Sequence, residues 1–515
     1  MVSAPPLVPP APSVHREAYA LAVDARDPRF DGVFFVAITT TRVYCRPVCP
    51  SRLAYDRHRR FFDSAAAAER AGFRPCLRCR PELAPGRAVL GAVSRLAQAA
   101  AQRIAGGALN GRSVAELARE LGVSERHVRR ALEREVGVPP LELAQTHRLL
   151  LARRLLVDTD LSVTRVAYAS GFQSLRRFNA AFREQYGMAP SVLRRGGGAR
   201  RAASPSLRGE EALRLTLAYR APFAWDALLA FLRGDATPGV EVAGGRRYGR
   251  TVQIDGCRGF VWVEDAPPAP PPPPASPAPP PAGRHNVAVQ VSASLVPVLM
   301  PLIAGLRRFL DLDAEPAVVD GHLAQGGLGA LVARRPGVRI PGAFNGFEVA
   351  LRALLGARGR WGGAPRALAG RVAAALGEPL ETGVPGLTHL APTAARVAEA
   401  GAARLSGVGV PPRRAESITA VARAVAAGAL RLEPGSGLAA THRALLEIDG
   451  ISERLAMVIV MRALYWPDAF PATDRALQRS AGVKSAGALL ARAEEWRPWR
   501  AYAALHLWLQ DLQSR

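Results

Sequence analysis

The sequence predicts a multidomain protein that is mainly α-helical and has α+β parts. Its 515 residues exceed what one hydrophobic core holds, since domains of about 100–200 residues are usual. Runs rich in β-branched and aromatic residues, typical of strands, occur at 30–44 and within 213–294. Elsewhere, and above all from Phe344 onward, apolar residues recur at helical spacing. We therefore expect domains at 14–83, 88–195, 210–325 and 326–515.

The chain is strongly basic, with 68 Lys and Arg residues against 43 Asp and Glu residues and a formal net charge of +25. Almost all of the excess is arginine. A coding bias toward arginine is one explanation, but an excess of this size favours a polyanionic partner, and nucleic acid is the first candidate. A membrane surface is the rival partner. The sequence has no run of about 20 uncharged apolar residues that could span a bilayer.

The N-terminal segment MVSAPPLVPPAPS lacks the charged and apolar regions of a signal peptide. We expect a disordered tail at 1–13 and a cytoplasmic protein. In a reducing compartment, clustered cysteines are metal ligands or reactive thiols rather than disulfides. The domain at 14–83 should then contain a strand at 30–44 and a short helix at 64–73, with Ser64 as its N-cap and Gly72 at its end.

Four of the five cysteines lie in two short pairs. Three residues separate Cys45 from Cys49, two separate Cys76 from Cys79, and 26 lie between the pairs. Two short pairs joined by a longer loop suit tetrahedral zinc, because each pair forms a knuckle and the loop returns the second pair to the metal. A small domain also gains stability from a metal ion. A purely structural zinc site is one interpretation, and a reactive zinc-bound thiolate is the other.

The run FFVAITTTRVYCRPVCPSR, with RRFFDSAAAAERAGFRPCLRCRPE after it, resembles the zinc domain of the Ada family. In that family the first cysteine of the first pair is a zinc ligand and also accepts a methyl group from a DNA methylphosphotriester. The resemblance implies that Cys45 is the acceptor, and that zinc is the cofactor. It implies Cys49, Cys76 and Cys79 as the other ligands. Surrounding arginines are expected to hold the DNA phosphate: Arg42, Arg46, Arg52, Arg74, Arg78 and Arg80. Because methylation removes a negative charge, it should raise the affinity for DNA.

Residues 88–195 contain two helix-turn-helix patterns. In SVAELARELGVSERHVRRALEREVG, Gly122 makes the turn, and Ser113 with Glu116 predicts a capping box. The second copy, LSVTRVAYASGFQSLRRFNAAFREQYGMAP, has Gly171 at the corresponding place. A plain helical bundle is the alternative. The second helix of each copy carries basic residues of the types that contact bases and phosphates, namely Arg126, Arg130, Arg176 and Arg177.

The GF and YGMAP motifs of the second copy resemble those of the AraC-type regulator domain. Ada-type zinc domains carry this domain beside them, so the order agrees. The resemblance implies sequence-specific binding to promoter DNA, activation of transcription, and RNA polymerase as a further partner.

The next segment is a Gly/Ser/Arg-rich linker at 196–209. Strands are expected after it at 213–220, 239–244, 250–256, 260–265 and 286–294. A proline-rich run at 266–283 separates the last two strands, and its position indicates an insertion in a hairpin rather than a domain boundary. The helix VPVLMPLIAGLRRFLDL follows.

The words AYRAPFAWDALLAFL and DLDAEPAVVDGHL give residues 210–325 a resemblance to the N-terminal domain of AlkA-type 3-methyladenine DNA glycosylases. Residues 326–515 resemble the helix-hairpin-helix domain of the same family. In LLEIDGISERLAMVIVMRAL, Gly450 is expected to bring backbone N–H groups to a DNA phosphate. The closing helix, WRPWRAYAALHLWL, places Trp508 at the wall of the base pocket, where it could stack a cationic base.

The word DAFPATDRALQR places Asp474 at the family's catalytic position. The resemblance implies that the nucleotide is flipped out and that Asp474 stabilises an oxocarbenium-like sugar or orients water. Alkylated bases such as 3-methyladenine would be released by hydrolysis. An aspartate before ALQR, taken alone, is typical of a helix N-cap.

Several positions depart from the glycosylase family. Ser452 replaces the second glycine of the hairpin, and a serine forced into a left-handed backbone would cost roughly 1–2 kcal/mol. Arg454 stands where the family has a pocket tryptophan or a Schiff-base lysine, and it cannot act as an amine nucleophile, so no lyase step is expected. Val458 replaces a pocket aromatic. The word ALLGARGRWGG, at 353–363, lacks a family glutamine.

The main interpretation is therefore a bacterial-type DNA alkylation-response protein, monomeric and associated with the nucleoid. It would join phosphotriester repair, transcription activation and base excision, with alkylated DNA and promoter DNA as its double-stranded partners. The alternative is a methylation-sensing regulator whose glycosylase domain is catalytically impaired and only binds DNA.

Overall fold

The structure is a computed structural model that describes residues 13–86, 95–196, 212–265, 285–356 and 366–513. The expected tail 1–13, linker 196–209 and proline-rich insertion 266–283 lie outside these ranges, apart from Ser13 and Gly196. Most of the word at 353–363 also lies outside them. Across the part of the chain that is described, every helix is too short or too polar to cross a lipid bilayer.

The N-terminal part packs two helices against a four-stranded sheet of order β3-β1-β2-β4. Its elements are α1 (Ser13–Asp24), β1 (Phe35–Ile38), β2 (Val43–Cys45), β3 (Arg59–Phe62), α2 (Ala65–Arg70) and β4 (Arg74–Pro75). Strand β1 is antiparallel to β2 and β3, whereas β2 and β4 are parallel. Tyr19 on α1 stacks on Phe34, with 4.0 Å between ring centroids. This packing closes the sheet on the side of the cysteines, whose cluster shares a core with Phe34.

The β-branched residues of the run 30–44 predict a single strand, but the structure contains a hairpin of β1 and β2 there. A backbone hydrogen bond from Arg42 to Ile38 closes the turn, and Arg42 has a left-handed φ of 56°. Helix α2 matches its prediction: Ser64 is the N-cap and accepts from the N–H of Ala67, and Gly72 follows the helix with a φ of 83°.

The next part is helical and contains both predicted helix-turn-helix units. Its helices are α3 (Arg95–Ala105), α4 (Val114–Glu120), α5 (Glu125–Val136), α6 (Pro140–Asp158), α7 (Val163–Ala169), α8 (Leu175–Tyr186) and α9 (Pro190–Gly196). The pairs α4–α5 and α7–α8 turn at Gly122 and Gly171, both with positive φ. The predicted capping box between Ser113 and Glu116 is present. The long helix α6 joins the two units.

A five-stranded antiparallel sheet follows, in the order β5-β9-β8-β7-β6. Its strands are β5 (Ala212–Ala218), β6 (Glu241–Gly244), β7 (Arg247–Ile254), β8 (Cys257–Asp265) and β9 (Asn286–Ser292), with helices α10 (Trp225–Asp235) and α11 (Leu299–Phe309). All five strands were predicted. Asp265 pairs with Val287, so the proline-rich segment joins two neighbouring strands, as expected for a hairpin insertion.

The C-terminal part is all-helical. Its helices are α12 (Pro316–Leu323), α13 (Gly329–Arg334), α14 (Gly346–Leu355), α15 (Arg366–Leu376), α16 (Ala394–Gly407), α17 (Pro412–Ala426), α18 (Leu438–Leu446), α19 (Glu453–Ala463), α20 (Arg475–Ser480), α21 (Ala486–Ala493) and α22 (Arg500–Gln513). One large apolar core surrounds α19 and α22. The predicted fold class, multidomain and mainly α with α+β parts, is confirmed.

Arg220, just after β5, ties the sheet region to the N-terminal part. Its guanidinium donates to the carbonyl oxygens of Asp31, at 2.9 Å, and Gly86, at 2.6 Å. Because Arg220 is 4% exposed, these hydrogen bonds are shielded from water. The two parts therefore meet through a buried polar contact.

Candidate metal centre and base-excision site

The four cysteines come together at the ends of two parallel strands. Cys45 ends β2 and Cys76 follows β4, and the pairing of Tyr44 with Pro75 sets these two cysteines side by side. The ligand atoms of Cys45, Cys49, Cys76 and Cys79 lie within 4.8 Å of one another. All four are buried, at 2–9% exposure. We call this group the cysteine cluster, and its close sulfur atoms suit a tetrahedral zinc ion.

Backbone N–H groups distinguish the sulfur atoms of the cluster. Arg46 donates its N–H to Cys79 Sγ at 3.4 Å, and Arg78 donates to Cys76 Sγ at 3.3 Å. Among the described residues, no backbone N–H donates to Cys45 Sγ. Within the same described residues, Cys49 Sγ also has no backbone donor. Since a hydrogen bond stabilises the charged form of a thiolate, the backbone favours ionisation of Cys76 and Cys79 over that of Cys45 and Cys49.

The thiols of the cluster also act on one another. A hydrogen bond from the Cys45 side chain, the largest cause, lowers the pKa of Cys49 to about 6, against the opposing effect of burial. Hydrogen bonds from Cys45 and Cys49 likewise lower the pKa of Cys76 below its ordinary value. The pKa of Cys45 is raised instead, chiefly by its hydrogen bond with Cys49, and the pKa of Cys79 is raised as well. The positive charge of a metal ion would therefore be needed to hold all four cysteines as thiolates.

The arginines near the cluster fall into two groups. Arg52, Arg74 and Arg78 are exposed and remain candidates for phosphate contacts, as does Arg42. The structure contradicts this expectation for Arg46, which is 6% exposed. Its guanidinium forms an ion pair with Asp31 and donates to the carbonyl oxygen of Cys79 at 3.2 Å. Arg46 therefore supports the cluster from inside instead of facing DNA.

Arg80 is also buried, because it joins the cluster to helix α6. It pairs with Asp158 at 2.7 Å and with Glu82 at 2.9 Å. Arg153 on α6 reaches the same Glu82 at 2.6 Å and donates to the carbonyl oxygen of Cys76 at 2.9 Å. The sequence alone does not indicate these roles of Arg153 and Glu82, because no local pattern predicts a contact over more than 70 positions.

The four predicted DNA-reading arginines occupy the exposed faces of two helices. Arg126 and Arg130 lie on α5, and Arg176 and Arg177 lie on α8. The opposite faces of these helices are buried, through residues such as Val128 and Phe178. Each helix is the second of its helix-turn-helix unit, the one that enters the major groove in such motifs.

The hairpin before α19 differs from the expectation in one respect. Gly450 has a φ of 84°, as a tight turn requires, and a Cβ there would lie 2.4 Å from Ser417 Oγ. Ser452 is not left-handed. Its φ is −81°, and its side chain accepts from the N–H of Leu455 as the N-cap of α19. The expected strain at Ser452 is therefore absent, since serine is a preferred N-cap.

Asp474 has both carboxylate oxygens engaged. Oδ1 accepts from the backbone N–H groups of Ala476, at 2.8 Å, and Leu477, at 3.3 Å, so Asp474 is the N-cap of α20. Oδ2 lies 3.4 Å from Nη1 of Arg454. Arg454 thus stands directly beside the predicted catalytic carboxylate, a relation that their separation in the sequence conceals.

Two other predicted pocket residues belong to the core. Trp508 on α22 and Val458 on α19 are each 3% exposed and lie in the large apolar core of the C-terminal part. The role of Trp508 as a wall of the base pocket stays a prediction.

Three family models match the chain. The metal binding domain of Ada matches residues 18–82, a helix-turn-helix domain matches 117–196, and the AlkA N-terminal domain matches 214–345. With the cysteine cluster, the first match confirms the zinc prediction.

Relatives cover both halves of the chain. DNA-3-methyladenine glycosylase 2 of Escherichia coli (strain K12) is 30% identical over 296 residues, 58% of this chain and 97% of its own. The bifunctional transcriptional activator/DNA repair enzyme Ada of the same strain is 31% identical over 177 residues, 34% of this chain and 48% of its own.

A third relative is similar along almost the whole length. The probable bifunctional transcriptional activator/DNA repair enzyme AlkA of Mycobacterium tuberculosis (strain ATCC 25618 / H37Rv) is 37% identical over 494 residues, 95% of each chain. The suspected fusion of Ada-like and AlkA-like parts is confirmed by these matches. The chain belongs to the family of bifunctional transcriptional activators and DNA repair enzymes that this relative represents.

Proposed function

We propose that this chain repairs alkylated DNA at two separate sites and regulates transcription in response. The cysteine cluster, four buried cysteines with their sulfur atoms within 4.8 Å, is the observation that carries the proposal. It lies in the same chain as two helix-turn-helix units and an aspartate at the predicted glycosylase position. The proposed domains are those expected from the sequence: 14–83, 88–195, 210–325 and 326–515.

Cys45 is the proposed methyl acceptor. Its sulfur attacks the methyl carbon of a DNA methylphosphotriester, and a C–S bond forms as the C–O bond breaks. The electron pair of that bond stays on the phosphate, which becomes an ordinary anionic diester. A zinc ion held by the cluster would keep the thiolates ionised. Exposed Arg52, Arg74 and Arg78 bind the phosphate beside the sulfur.

Regulation follows from the charge that Cys45 loses. A neutral thioether repels DNA phosphates less than a thiolate does, so the methylated protein binds DNA more tightly. The arginines on α5 and α8 then contact promoter DNA. RNA polymerase is the partner that an activator requires, and the proposed form is a monomer on the bacterial nucleoid.

The first test maps the methyl group. The protein is incubated with duplex DNA that carries methylphosphotriesters, and its peptides are analysed by mass spectrometry. We expect one added methyl on Cys45. Cys257, which lies outside the cluster, provides the control, since Cys257→Ser should still be methylated. A methyl group on a different cysteine would remove Cys45 from the acceptor role.

The second proposed site is the glycosylase. Asp474 stabilises positive charge on the sugar, or orients the water that adds to it, while an alkylated base leaves. Gly450 in the hairpin holds a DNA phosphate. Release of bases from alkylated DNA should disappear in Asp474→Asn and persist in Glu447→Gln, which changes an exposed carboxylate. Equal release by Asp474→Asn and wild type would exclude the role of Asp474.

One observation favours a regulator without glycosylase activity. Both oxygens of Asp474 are already engaged, one by the start of α20 and the other by Arg454. If the wild-type protein releases no base from any alkylated DNA, this second candidate is the correct one, and the C-terminal half only binds DNA.

A further inference from the structure

We propose that Arg454 sets the charge preference of the glycosylase site, so that uncharged modified purines such as hypoxanthine are favoured over cationic ones such as 3-methyladenine. The inference rests on the proposed function of Asp474. It concerns which bases that site accepts, and it can fail while the glycosylase activity itself stands.

The position of Arg454 is fixed by the start of α19. It is the second residue of that helix, and its Nη1 lies 3.4 Å from Oδ2 of Asp474. The two side chains are 18% and 9% exposed, so water screens their charges only partly. Since Oδ1 of Asp474 is held by α20, the carboxylate has little freedom to turn away. A guanidinium therefore stands beside the carboxylate that would act on the sugar.

Other charges on α19 are directed elsewhere. Glu453 is within 3.2 Å of His442. Arg462, near the end of the helix, is buried and pairs with Asp235 at 3.0 Å. Val458, one turn after Arg454, lies in the apolar core and is 3% exposed. The side of α19 near Asp474 thus offers the positive charge of Arg454.

The two kinds of substrate differ in the charge of the leaving base. When the bond between C1′ and the purine nitrogen breaks, its electron pair goes to the base. A cationic purine leaves as a neutral molecule and needs no further help. An uncharged purine leaves as an anion, which a nearby guanidinium stabilises. Water adds to C1′ and releases its proton to the solvent or to Asp474.

The same guanidinium repels a base that arrives with a positive charge. Arg454 therefore assists the substrates that leave with most difficulty and disfavours those that leave readily. A group that stabilises the developing charge of a leaving base should contribute about tenfold or more to the rate.

The test compares two DNAs under single-turnover conditions. One is a duplex with a single hypoxanthine, and the other is methylated DNA from which released 3-methyladenine is measured by chromatography. Each rate is divided by the rate of spontaneous release. We expect a larger enhancement for hypoxanthine in the wild type. Arg454→Gln should shift the ratio of the two enhancements by about tenfold or more toward 3-methyladenine.

Two variants make the result specific. Arg454→Lys keeps the positive charge and should keep the preference of the wild type. Arg443→Gln removes an exposed charge from the preceding helix, α18, and should leave the ratio unchanged even if it weakens DNA binding. A loss of the preference in Arg454→Lys together with Arg454→Gln would indicate a steric role and overturn the charge argument.

Binding offers a second measurement that does not need turnover. A duplex that carries a protonated pyrrolidine in place of the sugar mimics the positive charge of the transition state. Removal of Arg454 should tighten its binding by about tenfold, because one repulsive charge is lost. The inference is overturned if the wild type releases bases and Arg454→Gln changes neither the ratio nor this affinity. If the wild type releases no base from either DNA, the proposed glycosylase function fails instead, and this inference falls with it.

Discussion

The guanidinium of Arg153 donates a hydrogen bond of 2.9 Å to the carbonyl oxygen of Cys76. Arg153 lies on α6, the helix that joins the two helix-turn-helix units, and it is 1% exposed. Its second contact is an ion pair of 2.6 Å with Glu82, whose side chain is also 1% exposed. The backbone that carries one metal ligand is thus bonded directly to the DNA-reading part of the chain.

Arg153→Met should destabilise the junction between the cysteine cluster and α6. The substitution preserves much of the side-chain volume but removes the charge opposite Glu82 and the donor to Cys76. Breaking a buried ion pair costs about 3–5 kcal/mol, and we expect the lower end because Arg80 still pairs with Glu82. Calorimetry of the full chain should show the first unfolding transition at a lower temperature than in wild type. Arg134→Met is the control, since the Arg134 side chain is 85% exposed. Identical transitions in both variants would show that the Arg153 contact contributes nothing.

Removal of zinc should loosen the N-terminal part and spare the glycosylase. The cysteine cluster shares its small core with Ala22, Val23, Phe34 and Val36, so the metal site and the apolar packing depend on each other. A chelator should release about one zinc ion per chain and speed tryptic cleavage within residues 14–83. Base release from alkylated DNA should persist. Unchanged cleavage after complete loss of the metal would mean that the domain folds without it.

The hairpin before α19 tolerates change at one position and not at the other. Gly450→Ala should lower both the unfolding free energy and the affinity for DNA. A left-handed alanine costs about 1–2 kcal/mol, and its Cβ would collide with Ser417 Oγ. Ser452→Gly should cost only a few tenths of a kcal/mol, since glycine is an acceptable N-cap. Affinity for undamaged duplex DNA and the unfolding free energy report both effects. If Ser452→Gly improves DNA binding strongly, the serine is a defect in the hairpin after all.

Local patterns predicted much of this molecule. Ser64, Ser113 and Gly122 form caps and a turn with residues only a few positions away, so these roles could be inferred from the sequence.

The pairs Cys45–Cys49 and Cys76–Cys79 were also informative, because metal geometry restricts their spacing. The threonines of the run 30–44 concealed a turn, since their β propensity outweighed any turn signal.

What the sequence could not reveal is set by tertiary contacts. Arg46 looks like any other basic residue beside the cysteines, and only the position of Asp31 explains why it is buried. The family's glycine pattern predicts strain at Ser452, yet the backbone angles of Ser452 are those of an N-cap. The pairing of Arg454 with Asp474 depends on how α19 and α20 meet, and no periodicity specifies that angle.

A buried carboxyl in the C-terminal half gives a prediction for pH dependence. Asp311 is 0% exposed. Its Oδ2 accepts from the N–H of Ile340 at 3.0 Å and from the hydroxyl of Tyr502 at 2.9 Å, and Oδ1 accepts from Tyr465. Burial raises the pKa of Asp311 to about 6, although the charge of Arg339 and these hydrogen bonds act in the opposite direction. The folded protein therefore holds this proton at pH values where the unfolded chain has lost it.

The sign of the effect follows from that difference. Below the ordinary pKa of 3.8 both states are protonated and the contribution of Asp311 to stability is fully present; it is lost as pH rises toward about 6. Asp311→Asn cannot titrate. As pH rises across this range, the unfolding free energy of wild type should therefore fall by on the order of 3 kcal/mol relative to that of Asp311→Asn. Burial lowers the pKa of His506 to about 4, which makes stability fall at acidic pH, but that effect is common to wild type and Asp311→Asn.

Urea unfolding at a series of pH values measures the difference between the two proteins. Asp226→Asn, at a side chain that is 84% exposed, is the matched control and should run parallel to wild type. A constant difference between Asp311→Asn and wild type would show that Asp311 does not titrate in this range.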